Sequence, residues 1–152
     1  MVEQGQGDTE TMYNYFNEIG IISQLATAMF EQRLPVGLTL SQFSVLNWFV
    51  RVDNQATPGR LAKAFQVTGG AMTNTLKKLE AKKLINIAPD KTSGRKKKVT
   101  MTKKGRGVRD RAIASTASLL VEFAEQFPVE KILRSTRQLA KVRQYLDDYR
   151  YR

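Results

Sequence analysis

The chain has 152 residues, with 25 lysines and arginines against 14 aspartates and glutamates, and no cysteine or histidine. This length suits one domain with extensions. The composition excludes disulfides, thiol redox sensing, Cys/His zinc sites, a cysteine nucleophile and a histidine base. No apolar run is long enough to cross a membrane and no signal-peptide pattern is seen, so we expect a cytoplasmic protein without a membrane partner.

The positive charge is concentrated in the middle of the chain. Residues 1–56 carry two arginines against six acidic residues, residues 57–111 carry 16 cations against three acids, and residues 112–152 carry seven against five. A basic block of this kind is the electrostatic footprint of nucleic-acid binding. A membrane-surface helix fits less well, because the block lacks large exposed apolar residues.

The first predicted element is a long helix. Residues 1–8 are polar and contain glycine, which predicts disorder, and the helix is expected to begin near Asp8 or Thr9 and to stop at Pro35. Its apolar residues keep helical spacing, which predicts a core or dimer-interface face rather than a cofactor site.

A second helix is predicted to begin at Thr39, because Thr39 and Gln42 have the spacing of a capping box. Trp48 lies off the centre of the apolar stripe of this helix. We expect it at an edge of the core; the alternative is the wall of a ligand cleft.

Two short helices with a tight turn follow. Thr57 as N-cap and Pro58 at the first helical position give a strong helix start, and Thr68 is a good cap for the next helix. Only Gln66 and Val67 separate the first helix from the second cap. This arrangement predicts a helix-turn-helix.

The second of these helices has one apolar stripe, formed by Met72, Leu76 and Leu79. The opposite face is small and polar. Considered alone, this face indicates an ordinary solvated surface. As the second helix of a helix-turn-helix, it fits a DNA major groove, where Asn can pair with adenine and Lys can reach guanine. The residues of that face are Gly70, Thr73, Asn74, Lys77 and Ala81, with Lys78 on its flank as a phosphate contact.

A β-hairpin is predicted next. Leu84, Ile85 and Ile87 form a short apolar strand, and the residues from Val99 to Thr102 alternate with a period of two. The loop between them contains turn formers and four consecutive cations, Arg95–Lys98. A charge run is usually a solvated loop; at the tip of a wing it favours phosphate or minor-groove contact.

These elements resemble the MarR family of winged helix-turn-helix transcription regulators. The matching stretches are LTLSQFSVL, LxxxF-x-V-T, TNTLKKLEAKKLI and VTMTKKG, and they cover Leu38 to Gly105. The resemblance implies that Arg95 is the wing arginine. It also implies a homodimer built by the first helix and the last two. Two positions depart from the family pattern: Ser93 replaces the wing Asp that orients this arginine, and Gln66 replaces a turn Gly.

Two C-terminal helices complete the chain. Thr102 is expected to cap a long helix whose first turns are crowded with cations. These cations oppose the helix dipole, a strain that a nearby DNA backbone would relieve and that solvent and salt relieve in part. Pro128 separates it from a last helix whose near-heptad stripe predicts packing against a partner helix. The candidate interface residues of the chain are Tyr13, Phe16, Ile19, Leu119, Phe123, Ile132, Leu139, Leu146 and Tyr149.

The predicted fold is mainly α with a small β-hairpin wing (α+β). A winged helix-turn-helix at 37–102 lies between dimerisation helices at 9–36 and 103–152. The candidate DNA contacts are Thr57, Thr68, Gly70, Thr73, Asn74, Lys77, Lys78, Arg95, Lys96 and Lys97.

The function predicted is a homodimeric, sequence-specific regulator that binds double-stranded DNA at a near-palindromic operator and responds to a ligand or signal. The alternative is a basic RNA-binding or architectural module without operator specificity. No paired-carboxylate or phosphate-loop motif indicates an enzyme, and no cofactor, metal or catalytic residue is expected.

Overall fold

The computed structural model describes the backbone from Val2 to Arg152 and the side chains from Gly5 onward. It is mainly helical with one small antiparallel sheet, as predicted. The elements are α1 (Val2–Glu31), a 3-10 turn (Pro35–Gly37), α2 (Leu40–Arg51), β1 (Gln55–Ala56), α3 (Pro58–Phe65), α4 (Gly69–Ala81), β2 (Ile85–Pro89), β3 (Lys97–Met101), α5 (Lys103–Gln126) and α6 (Val129–Tyr149).

The predicted helix caps are confirmed. Thr39 and Gln42 form a reciprocal capping box at the start of α2. The hydroxyls of Thr57, Thr68 and Thr102 each accept a hydrogen bond from a backbone amide in the first turn of α3, α4 and α5. Each bond satisfies an amide that the helix itself leaves free.

The start of α1 corrects the prediction that residues 1–8 are disordered. Residues 2–8 are helical, and Met1 lies outside the described residues. Nothing in this stretch blocks a helix, and extending an existing helix costs far less than starting one. The hydroxyls of Thr9 and Thr11 donate to the carbonyls of Gly5 and Gly7, so both polar side chains are accommodated within the helix.

The sheet has three strands rather than the two predicted. The order is β1-β3-β2, and the two residues of β1 pair with Val99 and Thr100. The hairpin ladder also extends further toward the loop than expected, because Pro89 pairs with Lys97 and Ala88 with Lys98. Pro89 is tolerated because β2 is an edge strand, where a missing amide donor breaks no central ladder.

The core lies in the helix-turn-helix and the sheet. Its fully buried side chains come from α2, α3, α4, β2 with the residue before it, β3 and the N-terminal half of α5, with Leu46, Leu61, Leu76, Ile85 and Val99 among them. Trp48 packs against the edge of this core, as predicted. In contrast, every residue from 120 to 141 is exposed.

Gly105 fixes the approach of α5 to the wing. A Cβ at this position would overlap the carbonyl oxygen of Leu84, so no larger residue fits. The Thr102 amide donates to the same carbonyl at 3.0 Å, and the Thr102 hydroxyl donates to the Lys83 carbonyl at 2.8 Å. The start of α5 is therefore tied to the strand that follows α4. Within the described residues, no helix is both long and apolar enough to cross a membrane.

Candidate nucleic-acid interface

The turn between α3 and α4 is closed by Gln66 in a left-handed conformation, with φ 57° and ψ 39°. Such a conformation costs a non-glycine residue free energy. Hydrogen bonds compensate in part: the Gln66 side-chain amide donates to the Lys63 carbonyl at 3.1 Å, and the Val67 amide donates to the Ala62 carbonyl at 3.0 Å. The departure from glycine seen in the sequence therefore leaves the helix-turn-helix intact.

The residues of α4 are buried on one face and exposed on the other, as the sequence predicted. Met72, Leu76 and Leu79 are buried in the core. Nine of the ten candidate DNA contacts in the chain are exposed, and Thr57 is half-buried. The hydroxyls of Thr57 and Thr68 are already acceptors in their helix caps, at 3.2 and 3.1 Å. Each keeps its O–H free to donate to a phosphate oxygen.

An open groove of about 390 Å³ runs between α4 and the wing. It brings together Thr73 and Lys77 from α4 with Arg95, Lys96 and Lys97 from the wing. The remaining candidates, Thr57, Thr68, Gly70, Asn74 and Lys78, do not line it.

No pattern in the sequence predicts that an acidic residue lines this groove. Glu80 lines the groove, and its carboxylate accepts a hydrogen bond from the Ile87 amide at 3.2 Å. The bond ties β2 to α4. It therefore helps to hold the wing against α4.

The wing is shaped by Asp90. The Asp90 amide donates to the Lys96 carbonyl at 2.8 Å, and the Ser93 amide donates to the Asp90 carbonyl at 3.2 Å. The Asp90 carboxylate accepts from both the amide and the hydroxyl of Thr92. These bonds from Thr92, with nearby lysines adding less, hold the pKa of Asp90 below its usual range. Within the described residues Arg95 makes no ion pair and is exposed.

A second cluster that the sequence did not reveal fixes α3. Asp53 in the turn after α2 forms an ion pair with Arg60 at 2.6 Å, and the Arg60 guanidinium lies over the Trp48 ring, 5.0 Å from its centroid. The hydrogen bond from Arg60 is the main cause that lowers the pKa of Asp53. The cluster joins α2, the turn and α3, which a local sequence pattern does not show.

Besides Arg60, three cations of the basic block make hydrogen bonds within the chain. Lys82 Nζ donates to Gln42 Oε1 at 2.9 Å and to the Gly37 carbonyl at 3.1 Å. Lys104 donates to the Lys82 carbonyl at 3.2 Å. Arg109 donates twice to Asn47 Oδ1, at 2.9 and 3.1 Å. The charge offered to a polyanion is thus concentrated on the exposed face of α4, on the wing and at the start of α5.

The candidate interface residues lie on the terminal helices. Tyr13, Phe16, Phe123, Ile132, Leu139, Leu146 and Tyr149 are exposed, and Ile19 and Leu119 are half-buried. Four of them, Phe16, Ile19, Leu139 and Leu146, line one apolar cleft of about 800 Å³ between α1 and α6. Gln66 also lines this cleft, so it reaches the turn of the helix-turn-helix.

Two helices joined by a tight turn, an exposed polar helix face and a cationic hairpin define a winged helix-turn-helix protein. Residues 36–96 match the model of the MarR family. The match covers 61 of the 152 residues, and over that stretch it confirms the resemblance seen in the sequence. A search of the curated proteins gives no match.

Solved structures of three proteins share the fold over most of the chain. The transcriptional regulator BldR from Sulfolobus solfataricus is 26% identical with a TM-score of 0.75, and the match covers 88% of this chain and 96% of that one. A MepR–DNA complex from S. aureus is 25% identical with a TM-score of 0.77, covering 87% and 97%.

The third protein is a mutant MarR from E. coli, solved in two forms. The form complexed with operator DNA is 22% identical with a TM-score of 0.78, covering 87% of this chain and 95% of that one. The same mutant without DNA, at 23% identity, gives a TM-score of 0.66 and covers 83% and 93%.

Proposed function

We propose that the protein is a homodimeric transcription regulator that binds double-stranded DNA at a specific operator. The observation that carries this proposal is the groove in which Thr73 and Lys77 of α4 lie beside Arg95–Lys97 of the wing. The α4 face is small enough to enter a major groove, and the wing cations are placed to contact the backbone or the minor groove alongside. The similar MepR was solved in complex with DNA, which supports the same interpretation.

Dimerisation is supported by apolar surface that one chain leaves uncovered. Leu25 on α1, Leu120 and Val121 on α5, and Phe127 at the C-cap of α5 are each at least half exposed. Monomeric proteins rarely expose contiguous apolar patches of more than a few hundred Å². Light scattering at micromolar concentration is expected to give twice the mass of the chain, and a monomer at that concentration would reject the dimer.

A symmetric dimer constrains the operator. Two α4 helices related by a two-fold axis would enter major grooves about 34–36 Å apart, or a multiple of that distance. The operator should therefore be a near-palindrome whose half-sites are separated by whole helical turns. The near-palindrome follows if each chain contributes one α4 helix and the two chains are related by a closed two-fold axis.

Modulation by a small molecule is the third component of the proposal. The cleft between α1 and α6 has apolar walls and includes Gln66, so a ligand held there would contact the turn that sets α3 against α4. A ligand that binds one arrangement of this turn better than another would shift DNA affinity by that difference. Loss of ligand response in Ala140→Leu, which narrows the cleft at a residue outside the candidate interface set, with operator binding kept, is the expected result. An unchanged response would place the effector elsewhere.

A basic RNA-binding or architectural module is the competing function. Competition between a selected duplex and random duplex DNA over a series of salt concentrations separates the two. A regulator should prefer its own site by about 10³-fold or more. A preference near one at every salt concentration would contradict the proposed regulator.

A further inference from the structure

The basic residue at the C-cap of α4, Lys82, is directed into the protein. Its ammonium nitrogen donates to Oε1 of Gln42 at 2.9 Å and to the carbonyl of Gly37 at 3.1 Å. Gln42 is only 3% exposed, and its side chain also belongs to the capping box of α2. Lys82 is half-buried, whereas its neighbour Lys83 is exposed. The end of the recognition helix is therefore bonded to the start of α2 and to the turn before it.

The turn that Lys82 reaches has a strained backbone. Val36 has φ 51° and ψ 31°, in the left-handed region that a β-branched residue rarely adopts. Its side chain is 53% exposed, so burial does not hold it in this conformation. The Leu38 amide donates to the Pro35 carbonyl at 3.1 Å, and Lys82 binds the carbonyl of Gly37. The Lys82 bond thus opposes relaxation of the turn that joins α1 to α2.

Lys82 also contacts the second connection to the terminal helices. Its carbonyl accepts from Nζ of Lys104, in the first turn of α5, at 3.2 Å. The carbonyl of Leu84, two residues further on, accepts from the Thr102 amide and lies where a Cβ of Gly105 would be. Both routes from the helix-turn-helix to the terminal helices, through the turn before α2 and through the start of α5, therefore meet at the end of α4.

Given the dimeric regulator proposed above, on which this inference rests, we propose that Lys82 is a positioning residue that fixes the separation of the two α4 helices. The terminal helices would join the two chains, so this separation depends on how each α4 is held to them. An extra base pair between the half-sites rotates one of them by roughly 35° about the DNA axis. A dimer with rigid connections does not follow that rotation. Lys82 therefore determines how strictly the protein selects the half-site spacing, and it is not a phosphate contact.

The test measures the affinities of Lys82→Met and Lys83→Met for the selected operator, for the operator with an extra base pair between its half-sites, and for random duplex DNA. Both variants lose the same charge at adjacent positions, but Lys82→Met also loses the bonds to Gln42 and Gly37. The ratio of operator affinity to altered-spacing affinity should fall by about tenfold in Lys82→Met, the order of a lost charge-assisted hydrogen bond. Lys83→Met should keep the ratio. Lys82→Arg, which keeps a charged donor, should restore part of it.

The dependence on salt separates positioning from phosphate contact. In Lys82→Met the slope of log K against log salt should stay unchanged, because no phosphate contact is lost. A slope lower by about one unit, with equal loss on all three duplexes, would make Lys82 a phosphate contact and overturn the proposal. An unaltered spacing ratio in Lys82→Met would also overturn it. If the unchanged protein prefers no operator over random DNA, the proposed regulator fails, and the role of Lys82 fails with it.

Acetylation of the unchanged protein in the absence of DNA gives a measurement that does not depend on the folding of a variant. Lys82 should react more slowly than Lys78 on the exposed face of α4, because its nitrogen is held against α2. Mass spectrometry of the peptides measures both rates. Equal rates would overturn the contact through which Lys82 positions the helix.

Discussion

The Asp90 carboxylate and Thr92 close the wing: one oxygen of Asp90 accepts from the Thr92 amide at 3.0 Å and from the Thr92 hydroxyl at 2.8 Å. Arg95, in the wing loop, makes no ion pair among the described residues, and Ser93 stands where the resemblance implies an aspartate. Asp90 therefore orders the backbone on which Arg95 is presented.

Replacing Asp90 by alanine should weaken DNA binding without removing any cation, because the loop loses the acceptor that orders it. Asp90→Asn should retain part of the affinity, since its side-chain oxygen can still accept from Thr92. Isothermal titration with a selected duplex compares the two. Equal affinity of Asp90→Ala and the unchanged protein would show that wing order does not matter.

The pH dependence of this contact follows from the lowered pKa of Asp90. A carboxyl group whose pKa is lower in the folded state contributes stability above its unfolded pKa of about 3.9. That contribution is lost as the pH falls through the folded value. The difference in stability between the unchanged protein and Asp90→Asn should thus be constant from neutral pH to about pH 5 and shrink only in more acidic solution. A difference that disappears near pH 6 would contradict this assignment.

Arg95→Ala should weaken binding to DNA strongly, because this residue lines the groove beside α4 and is presented by the ordered wing. Lys96→Ala or Lys97→Ala should cost less. Each should lower the slope of log K against log salt by about one unit for every phosphate that the protein no longer neutralises. Binding measured over a salt series distinguishes these effects. If Arg95→Ala changed neither affinity nor slope, the wing would not contact DNA.

Gln66 permits a test of the turn itself. Gln66→Gly removes the cost of the left-handed conformation, whereas Gln66→Ala keeps that cost and removes the side-chain bond to Lys63. The glycine variant should therefore unfold with a free energy about 1 kcal/mol higher than the alanine variant. Urea unfolding at one fixed protomer concentration measures the difference. An alanine variant as stable as the glycine variant would mean that the turn relaxes when the side chain is cut back.

The local signals in the sequence predict most of the helix-turn-helix. Thr57, Thr68 and Thr102 are recognisable as caps because capping depends on residues within one turn of helix. The stripe of Met72, Leu76 and Leu79 predicts the outward face of α4, because helical geometry fixes what lies opposite a buried stripe.

The features that the sequence does not predict are tertiary or too short for a pattern. The strand β1 has two residues, so no alternation exists to detect. The contact between Arg109 and Asn47 joins positions 62 residues apart, and periodicity does not indicate such a bond. The sequence alone therefore does not separate Arg109, whose guanidinium donates to Asn47, from the cations of the basic block that make no such bond.

Readout of bases by α4 gives a further prediction. Asn74 is exposed on the face opposite the buried stripe, so Asn74→Ala should remove discrimination at one base pair in each half-site, at about 1–3 kcal/mol each, while binding to random DNA persists. Lys78→Ala should weaken binding to all sequences alike. Equal loss on both kinds of DNA in Asn74→Ala would show that this residue does not read a base.

Selection of binding sites from random duplexes tests the proposed regulator most directly. The proposal predicts enrichment of one near-palindromic sequence with half-site centres separated by one helical turn, about 10–10.5 base pairs, or a multiple of it. The enriched site should lose its advantage over random DNA in Asn74→Ala. Selection that enriches no sequence, or only an asymmetric single site, would contradict a dimer that reads DNA through two copies of α4.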